Sequence, residues 1–441
     1  MTNLLATPVE WPRILLARAD AVDPTDLAAA VRDGAFGGLR RAISSLGSAG
    51  TIDAISRAGL RGRGGAGHLT ADKWRICAAQ DDPIRFVVAN GYGADPAVFT
   101  DKTLMEIDPY AVIEGAAIAA FAVGASEAVI AVRTEYTEAV RRLESAVARA
   151  EEAGYLGSDV MSSGLDLGVT IRTVQGAYML GEETVLLKAL EGKRGQPEQR
   201  PPYPAERGLF GHPTIVQNVA TLASVAWILA RGPEAYSTIG AHDAPGTVLV
   251  QIRGLAGEGI AEVPTGTTLR EIAALAGGVP EGSTLKAILV GGPSGGVLPP
   301  SALDSPYEFQ ALRDLGAHVG SGSIVLADEQ VCIVDLARLL TRFCADEACG
   351  KTIPCRIGTR RLSEIGERLT TGRPRPTDLQ LLEDLSHDLV GSALCDHERL
   401  TTLPFASGMR YFRSEIDEHI LASTCPAGVC HPIAVAGAGA H

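Results

Sequence analysis

The sequence predicts an α/β protein that begins with a layered domain built on a mostly parallel sheet. Apolar strand patterns alternate with helical patterns from Thr51 to about Leu229. From Gly246 to about Ala327 the pattern changes to short strands with one short helix, and from Val331 onward it is helical. Alternating strands and helices are typical of a parallel sheet covered by helices. We therefore expect the layered domain, a small α+β module of the β-grasp type, and a helical bundle.

An adapter, residues 1–50, precedes the layered domain, which we predict at residues 51–240. The elements of that domain alternate in type along the chain. The predicted strands are Arg85–Ala89, Glu127–Val132 and Leu167–Arg172, and the predicted helices are Thr51–Ala58, Pro109–Val123 and Thr137–Ala153.

The small module, residues 246–328, contains the predicted strands Val248–Ile252 and Ala287–Val290 and the helix Thr268–Leu275. A helical bundle is predicted at residues 331–420, and a tail rich in Cys and His at residues 421–441. The predicted bundle helices are Val334–Phe343, Cys355–Leu369, Thr377–Leu389 and Ser407–Ile420.

Composition narrows the class of protein. The net charge of −13 disfavours a nucleic-acid partner. Apolar stretches are too short for a membrane span, and no secretory signal is recognisable, so we expect a cytoplasmic protein. Seven of the eight cysteines lie from Cys332 onward, which favours metal ligation over disulfides in such a compartment.

A glycine-rich loop, Gly59–Gly67, is the most informative motif. Its glycines allow backbone N–H groups to approach a phosphate closely. The loop matches G-x-G-x-x-G at Gly62, Gly64 and Gly67, but it follows a predicted helix rather than a strand. It is therefore typical either of a site for a phosphate-bearing cofactor or of a structural turn.

A second motif, Gly176–Thr184, follows a strand and opens a helix. Glu182 and Glu183 suit the positive end of the helix dipole, or they accept hydrogen bonds from cofactor hydroxyls. Tyr203 stacks on an aromatic ring or simply packs. Three further polar residues serve either a cofactor or a helix cap and solvated face: Gln217, Asn218 and Thr221.

Two groups of cysteines favour metal sites. Cys349, Cys355 and the distant Cys395 have the spacing of a [4Fe–4S] site, although the middle position of the motif is Thr352. The alternative is buried free cysteines. The other group comprises His419, Cys425 and Cys430. They offer three of the four ligands that zinc or an iron–sulfur centre requires, or they are solvated tail residues.

Together these motifs resemble one family, the NADH-binding flavoprotein subunit of respiratory complex I (NADH:quinone oxidoreductase), with relatives in NAD-linked formate dehydrogenases and hydrogenases. The resemblance is colinear from about Gly59 to His419 and is strongest at Gly59–Gly67, Gly176–Thr184, Glu191–Pro204 and Cys349–Arg356. It implies a Rossmann-like FMN domain, a β-grasp (SLBB-like) domain and a C-terminal four-helix bundle that holds a [4Fe–4S] cluster.

The resemblance also implies which residues bind cofactors. The implied FMN-binding residues are Gly62, Arg63, Gly64, Gly65, Lys73, Asn90, Tyr178, Gly181, Glu182, Glu183, Gln217, Asn218 and Thr221. The implied nicotinamide-binding residues are Gly65, His68, Asp95, Glu183, Arg200 and Tyr203. The implied cluster ligands are Cys349, Cys355 and Cys395. No catalytic side chain is implied, because the flavin performs the chemistry.

The implied activity is oxidation of NADH or NADPH by hydride transfer to FMN, followed by single-electron transfer to iron–sulfur centres or a partner. The implied partners are a thioredoxin-like [2Fe–2S] subunit and further redox subunits of a hetero-oligomer.

The departures from the family lie mainly where the nicotinamide would bind. His68 replaces a stacking phenylalanine, and Tyr92 and Gly93 replace two acidic residues. Asp95 replaces a third acidic residue with a shorter side chain, and Thr352 replaces a cluster cysteine. The alternative hypothesis is therefore an FMN electron relay, or a scaffold, that has lost nicotinamide binding, its [4Fe–4S] cluster, or both.

Overall fold

The computed structural model describes residues 3–430 and divides the chain into two compact units. The first unit runs from the amino terminus to Gln251 and adds Gly259–Thr267 and Pro306–Phe309. The second comprises Ile252–Glu258, Thr268–Ser305 and the chain from Gln310 onward.

The first unit is built on a parallel sheet of four strands. These strands are β1 (Phe86–Gly91), β2 (Glu127–Arg133), β3 (Gly168–Val174) and β4 (Thr214–Asn218). Their order across the sheet is β3-β2-β1-β4, and Val88 of β1 pairs with Val129 of β2 and with Val216 of β4. The apolar runs of β1 and β2 are buried, as expected for strands covered by helices on both faces.

The helices of this unit separate the strands along the chain. They are α1 (Leu27–Arg32), α2 (Gly37–Arg41), α3 (Gly47–Arg57), α4 (Thr70–Ala78), α5 (Thr100–Ile107), α6 (Pro109–Val123), α7 (Thr137–Glu152), α8 (Glu183–Leu190), α9 (Val219–Arg231) and α10 (Pro233–Ser237). Helix α6 is almost entirely buried and begins with Pro109 in its first turn after the cap Asp108, whose carboxylate accepts from the Ala111 N–H. It ends at Gly124, which adopts the left-handed conformation typical of a helix end.

Glu114 is a buried carboxylate in the middle of α6, 2 % exposed. It accepts hydrogen bonds from the backbone N–H groups of Phe36 at 2.7 Å and Leu39 at 3.1 Å, at the start of α2. Burial raises the pKa of Glu114 to about 7, although these N–H groups and Arg18 favour the charged form. The side chain thus satisfies the free donors at the start of α2.

The remaining strands form a two-stranded and a five-stranded sheet. They are β5 (Gly240–Ala241), β6 (Ala244–Pro245), β7 (Thr247–Arg253), β8 (Glu258–Pro264), β9 (Leu285–Val290), β10 (Gly296–Leu298) and β11 (Ser323–Asp328). The two-stranded sheet joins β5 and β6, and the five-stranded sheet has the order β10-β9-β11-β7-β8. Strand β9 pairs antiparallel with both β10 and β11.

Helices dominate the rest of the chain. They are α11 (Leu269–Leu275), α12 (Phe309–Asp314), α13 (Ile333–Asp346), α14 (Arg360–Thr370), α15 (Asp378–Ser392), α16 (Asp396–Leu400), α17 (Leu403–Tyr411) and α18 (Arg413–Asp417). Leu362, Ile365 and Leu369 recur along one face of α14 and join a core with Phe405 of α17 and Ile416 of α18. No helix in residues 3–430 is long and apolar enough to cross a membrane.

The predicted α/β class with a parallel sheet is confirmed, but one strand of that sheet was missed, as were β5, β6, β8, β10 and β11 of the other sheets. The sequence interpretation treated Pro213–Thr221 only as polar groups and a possible helix cap, whereas Thr214–Asn218 is β4. Asn218 ends this strand and also caps α9, accepting from the Ala220 N–H at 2.8 Å. A five-residue segment with only two apolar residues, Ile215 and Val216, carries too little periodicity to distinguish a strand from a cap.

Candidate functional site

The site begins where β1 and β4 end side by side. In the register of the sheet Asn90 of β1 lies opposite Asn218 of β4. The chain leaves β1 in one direction to build β2 and β3, and β4 is added on the other side, so the order of the strands reverses between β1 and β4. In open α/β sheets ligands bind outside the carboxyl ends of strands at such a reversal. Two predicted cofactor residues therefore lie at the expected position.

The glycine-rich loop lies against the end of β4. It is closed at its base by hydrogen bonds from Gly62 N–H to the His68 carbonyl and from Thr70 N–H to the Leu60 carbonyl, both 2.9 Å. A Cβ atom added at Gly64 would lie 3.3 Å from the Asn218 Cβ, which is a tight contact. The structure therefore brings together the predicted loop and the predicted Asn218, and it leaves no space there for a larger residue.

Arg63 lies in the glycine-rich loop and makes contacts through both its backbone N–H and its buried guanidinium. Its backbone N–H donates to the buried Thr221 hydroxyl at 2.8 Å, so Thr221 holds the loop. Its guanidinium is 9 % exposed and donates to the Tyr236 hydroxyl at 2.8 Å and to the Pro245 carbonyl. Nε and Nη1 of this guanidinium have no hydrogen-bond partner among the described residues. A buried cation with unsatisfied donors and a glycine cradle fit an anionic cofactor such as FMN.

A network of charged side chains surrounds the start of α8. Lys73 Nζ lies 2.7 Å from Glu183 Oε2 and 3.2 Å from the Val216 carbonyl. Arg200 pairs with Glu182 and lies 3.3 Å from Glu183. Burial alone would raise the pKa of Glu183, but Lys73, Arg200 and His68 outweigh it and lower that pKa. Glu183 is therefore held as a carboxylate beside two cations.

Glu182 also has the structural role that its position suggested. It is the N-cap of α8, and its Oε2 accepts from the N–H groups of Thr184 and Val185, both at 2.9 Å. The preceding turn, Tyr178–Gly181, is tightly packed, since a Cβ at Gly181 would lie 3.0 Å from the Ala94 side chain. The helix cap and the ion pair with Arg200 thus use the same side chain.

Asp101 is a member of this site that the sequence interpretation missed. Its Oδ2 accepts from the Asn218 side-chain amide at 2.7 Å, which orients that amide at the end of β4. Burial raises the pKa of Asp101 to about 6, while the bond from Asn218 partly opposes the shift. In the sequence Asp101 only resembles an acidic residue in the first turn of a helix, so no local signal distinguishes it.

The residues predicted to bind the nicotinamide differ in environment. His68 is exposed and Tyr203 is 52 % exposed, whereas Asp95 is buried and accepts from the Ala97 N–H at 3.0 Å. Tyr92 is fully buried, donates to the Gly176 carbonyl at 2.6 Å, and has the Arg133 guanidinium 4.8 Å from its ring centre. At a position where the family has a carboxylate, Tyr92 thus fills the space with a packed side chain and leaves no open pocket.

The second unit contains the cysteines of the predicted cluster. Cys355 is buried, and Cys349 and Cys395 are half-buried. Burial is the main cause that raises the pKa of the Cys355 thiol to about 12, and Glu398, Cys395 and Cys349 add to it. The effect of Cys395 and Cys349 on the Cys355 thiol places the three cysteines of the motif near one another, as an iron–sulfur cluster requires.

A second group of metal-ligating side chains also lies in this unit. His419 Nε2 lies 3.4 Å from Cys332 Sγ and 3.5 Å from Cys430 Sγ, and the two sulfurs are 3.6 Å apart. With Cys425, all four ligand atoms lie within 4.8 Å of one another. The sequence interpretation found three of these ligands and missed Cys332, which lies 87 residues before His419.

The environment of these ligands suits a metal. Burial tends to raise the pKa of the Cys425 thiol, but the N–H groups of Cys430 and Val429 and two neighbouring thiols lower it to about 6. His419 Nδ1 contacts the Glu415 carbonyl at 2.8 Å, which leaves Nε2 facing the sulfurs. A thiolate and an oriented imidazole are the forms in which these residues bind zinc.

Comparisons with known proteins show the family of the chain. Residues 55–227 match the family described as the Nuo51 FMN-binding domain, and residues 335–419 match the NADH-ubiquinone oxidoreductase-F iron-sulfur binding region. The F subunit of the NADH-quinone oxidoreductase of Streptomyces coelicolor is 38 % identical over 392 residues, which are 89 % of this chain and 87 % of that protein. This chain belongs to the family of these F subunits. It is an FMN-binding NADH dehydrogenase subunit with a 4Fe–4S binding region.

This F-subunit homologue is also similar to subunits of hydrogenases. The NADP-reducing hydrogenase subunit HndC of Solidesulfovibrio fructosivorans is 37 % identical over 431 residues, which are 97 % of this chain and 88 % of that protein. A crystal structure of NAD+-reducing [NiFe]-hydrogenase in the H2-reduced state matches with a TM-score of 0.83 and 31 % identity, covering 95 % of this chain and 68 % of that one. The resemblance drawn from the motifs is confirmed.

Proposed function

We propose that this F-subunit homologue transfers a hydride from NADH or NADPH to bound FMN and passes single electrons to iron–sulfur centres or a partner protein. The observation that carries the proposal is the glycine loop packed against Asn218 at the reversal between β1 and β4. FMN, when bound, supplies the conversion between two-electron and one-electron transfer. The residues of this chain supply binding, orientation and charge.

Each part of the site has a proposed role toward FMN. The backbone of Gly64 and Gly65 and the cation of Arg63 bind the phosphate end. Lys73, held by Glu183 at 2.7 Å, supplies a fixed positive charge. The amide groups of Asn90 and Asn218 offer donors and acceptors at the ends of the strands, and Asp101 orients one of them. We also propose the remaining implied contacts, Gly62, Tyr178, Gly181, Glu182, Gln217 and Thr221.

The experiment is an anaerobic titration of FMN-loaded full-length protein with NADH and, separately, NADPH, followed by flavin absorbance. Bleaching by either nucleotide supports the proposal. Bleaching by dithionite alone would favour the electron-relay alternative, which the exposed His68 and the buried Tyr92 motivate. Failure to bind FMN at all would favour the scaffold alternative.

We further propose that Cys332, His419, Cys425 and Cys430 hold one zinc ion. Three sulfurs and one imidazole nitrogen are a common set for structural zinc, and all four ligands come from this chain. Metal analysis should find about one zinc per chain in the wild-type protein and a large loss in His419→Ala. The control is His387→Ala, whose side chain is 89 % exposed. Iron in place of zinc would indicate an iron–sulfur centre instead.

We propose finer assignments for the fold and the partners. Residues 246–328 are assigned to a β-grasp module, with the antiparallel pairing of β9 as support. Residues 331–420 are assigned to a four-helix bundle, with the shared core of α14, α17 and α18 as support. We place the protein in the cytoplasm, with a thioredoxin-like [2Fe–2S] subunit as partner. Co-purification of a [2Fe–2S] protein with the tagged native chain tests the partner.

A further inference from the structure

The iron–sulfur motif of this chain lacks a thiolate where its spacing requires one. Thr352 lies three residues after Cys349 and three before Cys355, and Cys395 is the distant member. A [4Fe–4S] cluster has four irons, each with one protein ligand, so three thiolates leave one iron without its usual partner. The threonine hydroxyl is a weak ligand for iron unless it loses its proton.

Glu398 lies beside the position where the motif lacks its thiolate. Its Oε1 accepts a hydrogen bond from the Thr352 hydroxyl at 3.0 Å, and its Oε2 accepts from the Leu394 N–H at 3.0 Å. Glu398 lies in the short helix α16, which begins directly after Cys395. The residue is therefore carried by the same chain segment as the distant cysteine, and it contacts the side chain that replaces the missing one.

The burial of Glu398 requires an explanation. The residue is 1 % exposed, and no Lys, Arg or His side chain pairs with it within residues 3–430. A buried carboxylate without a cation is costly, because two hydrogen bonds replace only part of its hydration. Thiolates at Cys349, Cys355 and Cys395 would add further negative charge around the same space. Iron is a cation that would neutralise all four groups.

We propose that the Glu398 carboxylate binds the fourth iron of the cluster and that Thr352 is a positioning residue that orients it. The ligand set is then three thiolates and one carboxylate. The inference rests on the proposed cluster but not on FMN binding. Oxygen is a harder ligand than sulfur, so this iron is held less firmly than the other three.

The chemical consequence is selective loss of one iron on oxidation. A cluster [4Fe–4S]2+ that gives one electron to ferricyanide releases Fe2+ and leaves [3Fe–4S]+, which balances charge and electrons. The released corner is the one bound by Glu398. Addition of Fe2+ and one electron from dithionite reverses the step.

The test uses full-length protein reconstituted anaerobically with iron and sulfide. After treatment with ferricyanide, the wild-type protein should show the electron paramagnetic resonance signal of a three-iron cluster. Thr352→Cys, which restores a thiolate, should lose iron about tenfold more slowly. Glu398→Gln should contain about three irons per chain without any oxidant, because the amide binds iron weakly. The control Glu367→Gln changes a carboxylate of α14 that is 52 % exposed and should match the wild type.

A double variant distinguishes the loss of an iron ligand from misfolding. The double variant Thr352→Cys/Glu398→Gln should regain about four irons, which shows that loss in the single variant reflects a missing ligand rather than a misfolded unit. Four firmly held irons in Glu398→Gln, or equal iron loss from Thr352→Cys and wild type, would overturn the proposal. A wild-type protein that takes up no iron would also overturn the proposal. In that case, FMN binding measured on the same sample would show that the flavin part of the function still holds.

Discussion

Asp101 and Gly64 show how single residues determine the geometry at the end of β4. Asp101 holds the Asn218 amide at 2.7 Å, and Gly64 lets the loop approach the same residue. One residue contributes a half-buried acid and the other the absence of a side chain. Both act on Asn218, so the geometry of the site depends on contacts among three residues that lie far apart in the sequence.

Replacing Asp101 by Asn should change how stability depends on pH. Because the folded-state pKa of Asp101 is raised to about 6, the folded protein binds the proton of this acid more tightly than the unfolded chain does. The contribution of Asp101 to the free energy of unfolding is therefore largest below its pKa in the unfolded chain, near 4. This contribution falls by roughly 2–3 kcal/mol as the pH rises to about 6. Urea unfolding between pH 4.5 and 7.5 should show a slope for the wild type and a smaller slope for Asp101→Asn, in which only the contribution of Glu114 remains.

Asp72→Asn is the control for this experiment, because the Asp72 side chain is 58 % exposed. It should keep the wild-type slope. Identical pH profiles for Asp101→Asn and wild type would contradict the raised pKa.

Gly64→Ala should weaken FMN binding. The new Cβ would lie 3.3 Å from the Asn218 Cβ, so the loop must move away from β4. Overpacking of this kind costs about 1–2 kcal/mol, which is about tenfold in Kd. Quenching of flavin fluorescence measures the affinity. Gly37→Ala is the control, since nothing lies within 4 Å of a Cβ at Gly37. Equal affinities for the two variants would contradict the close approach.

At the scale of the element, helix α6 stabilises the first unit by a polar contact as well as by its apolar faces. Its Glu114 accepts from two N–H groups at the start of α2, where Phe36 adopts a left-handed conformation. Short helices such as α2 are unstable alone and depend on such contacts. The pattern of apolar residues predicted α6 correctly, but nothing in that pattern indicates what Glu114 binds.

Glu114→Ala should destabilise the first unit by about 3 kcal/mol, because buried N–H groups of α2 lose their acceptor. Urea unfolding followed by circular dichroism measures the loss. Glu144→Ala on the exposed side of α7 should have almost no effect. A small effect at Glu114 would mean that water replaces its carboxylate.

At the scale of the whole molecule, the flavin site and the metal ligands belong to different compact units. The glycine loop, Lys73 and Asn218 lie in the first unit, while Cys332 and His419 lie in the second. The predicted FMN-binding residues lie in the first unit, and the four candidate metal ligands lie in the second. Loss of metal should therefore affect one unit selectively.

Removal of the proposed zinc by a chelator should lower the melting temperature of the second unit and leave FMN bound. Metal that binds only the folded state stabilises it, so its removal withdraws that free energy. Scanning calorimetry measures the transition, and retained flavin measures the first unit. His419→Ala should reproduce the chelator effect without chelator. A chelator effect that persists in this variant would assign it to another metal site.

The sequence allowed correct prediction of β1, β2, β3, α6 and α7, because their apolar periodicity is local, whereas α9 (Val219–Arg231) and β8 (Glu258–Pro264) were not predicted. The glycine loop, the Glu182–Glu183 pair and the Cys349–Cys355 motif also identified the family, because each of them is contiguous. It did not allow prediction of β4, which is too short to show periodicity. The individual cofactor and nicotinamide contacts stay predictions until they are measured.

The sequence by itself determined the class of the protein, the family and the types of ligand available. Only the tertiary structure decided which of them meet: Asp101 with Asn218, Glu398 with Thr352, and Cys332 with His419. The physical reason is that composition and periodicity act over a few residues. A hydrogen bond or a metal site instead joins atoms brought together by the burial of whole strands and helices, across 117, 46 and 87 residues of sequence.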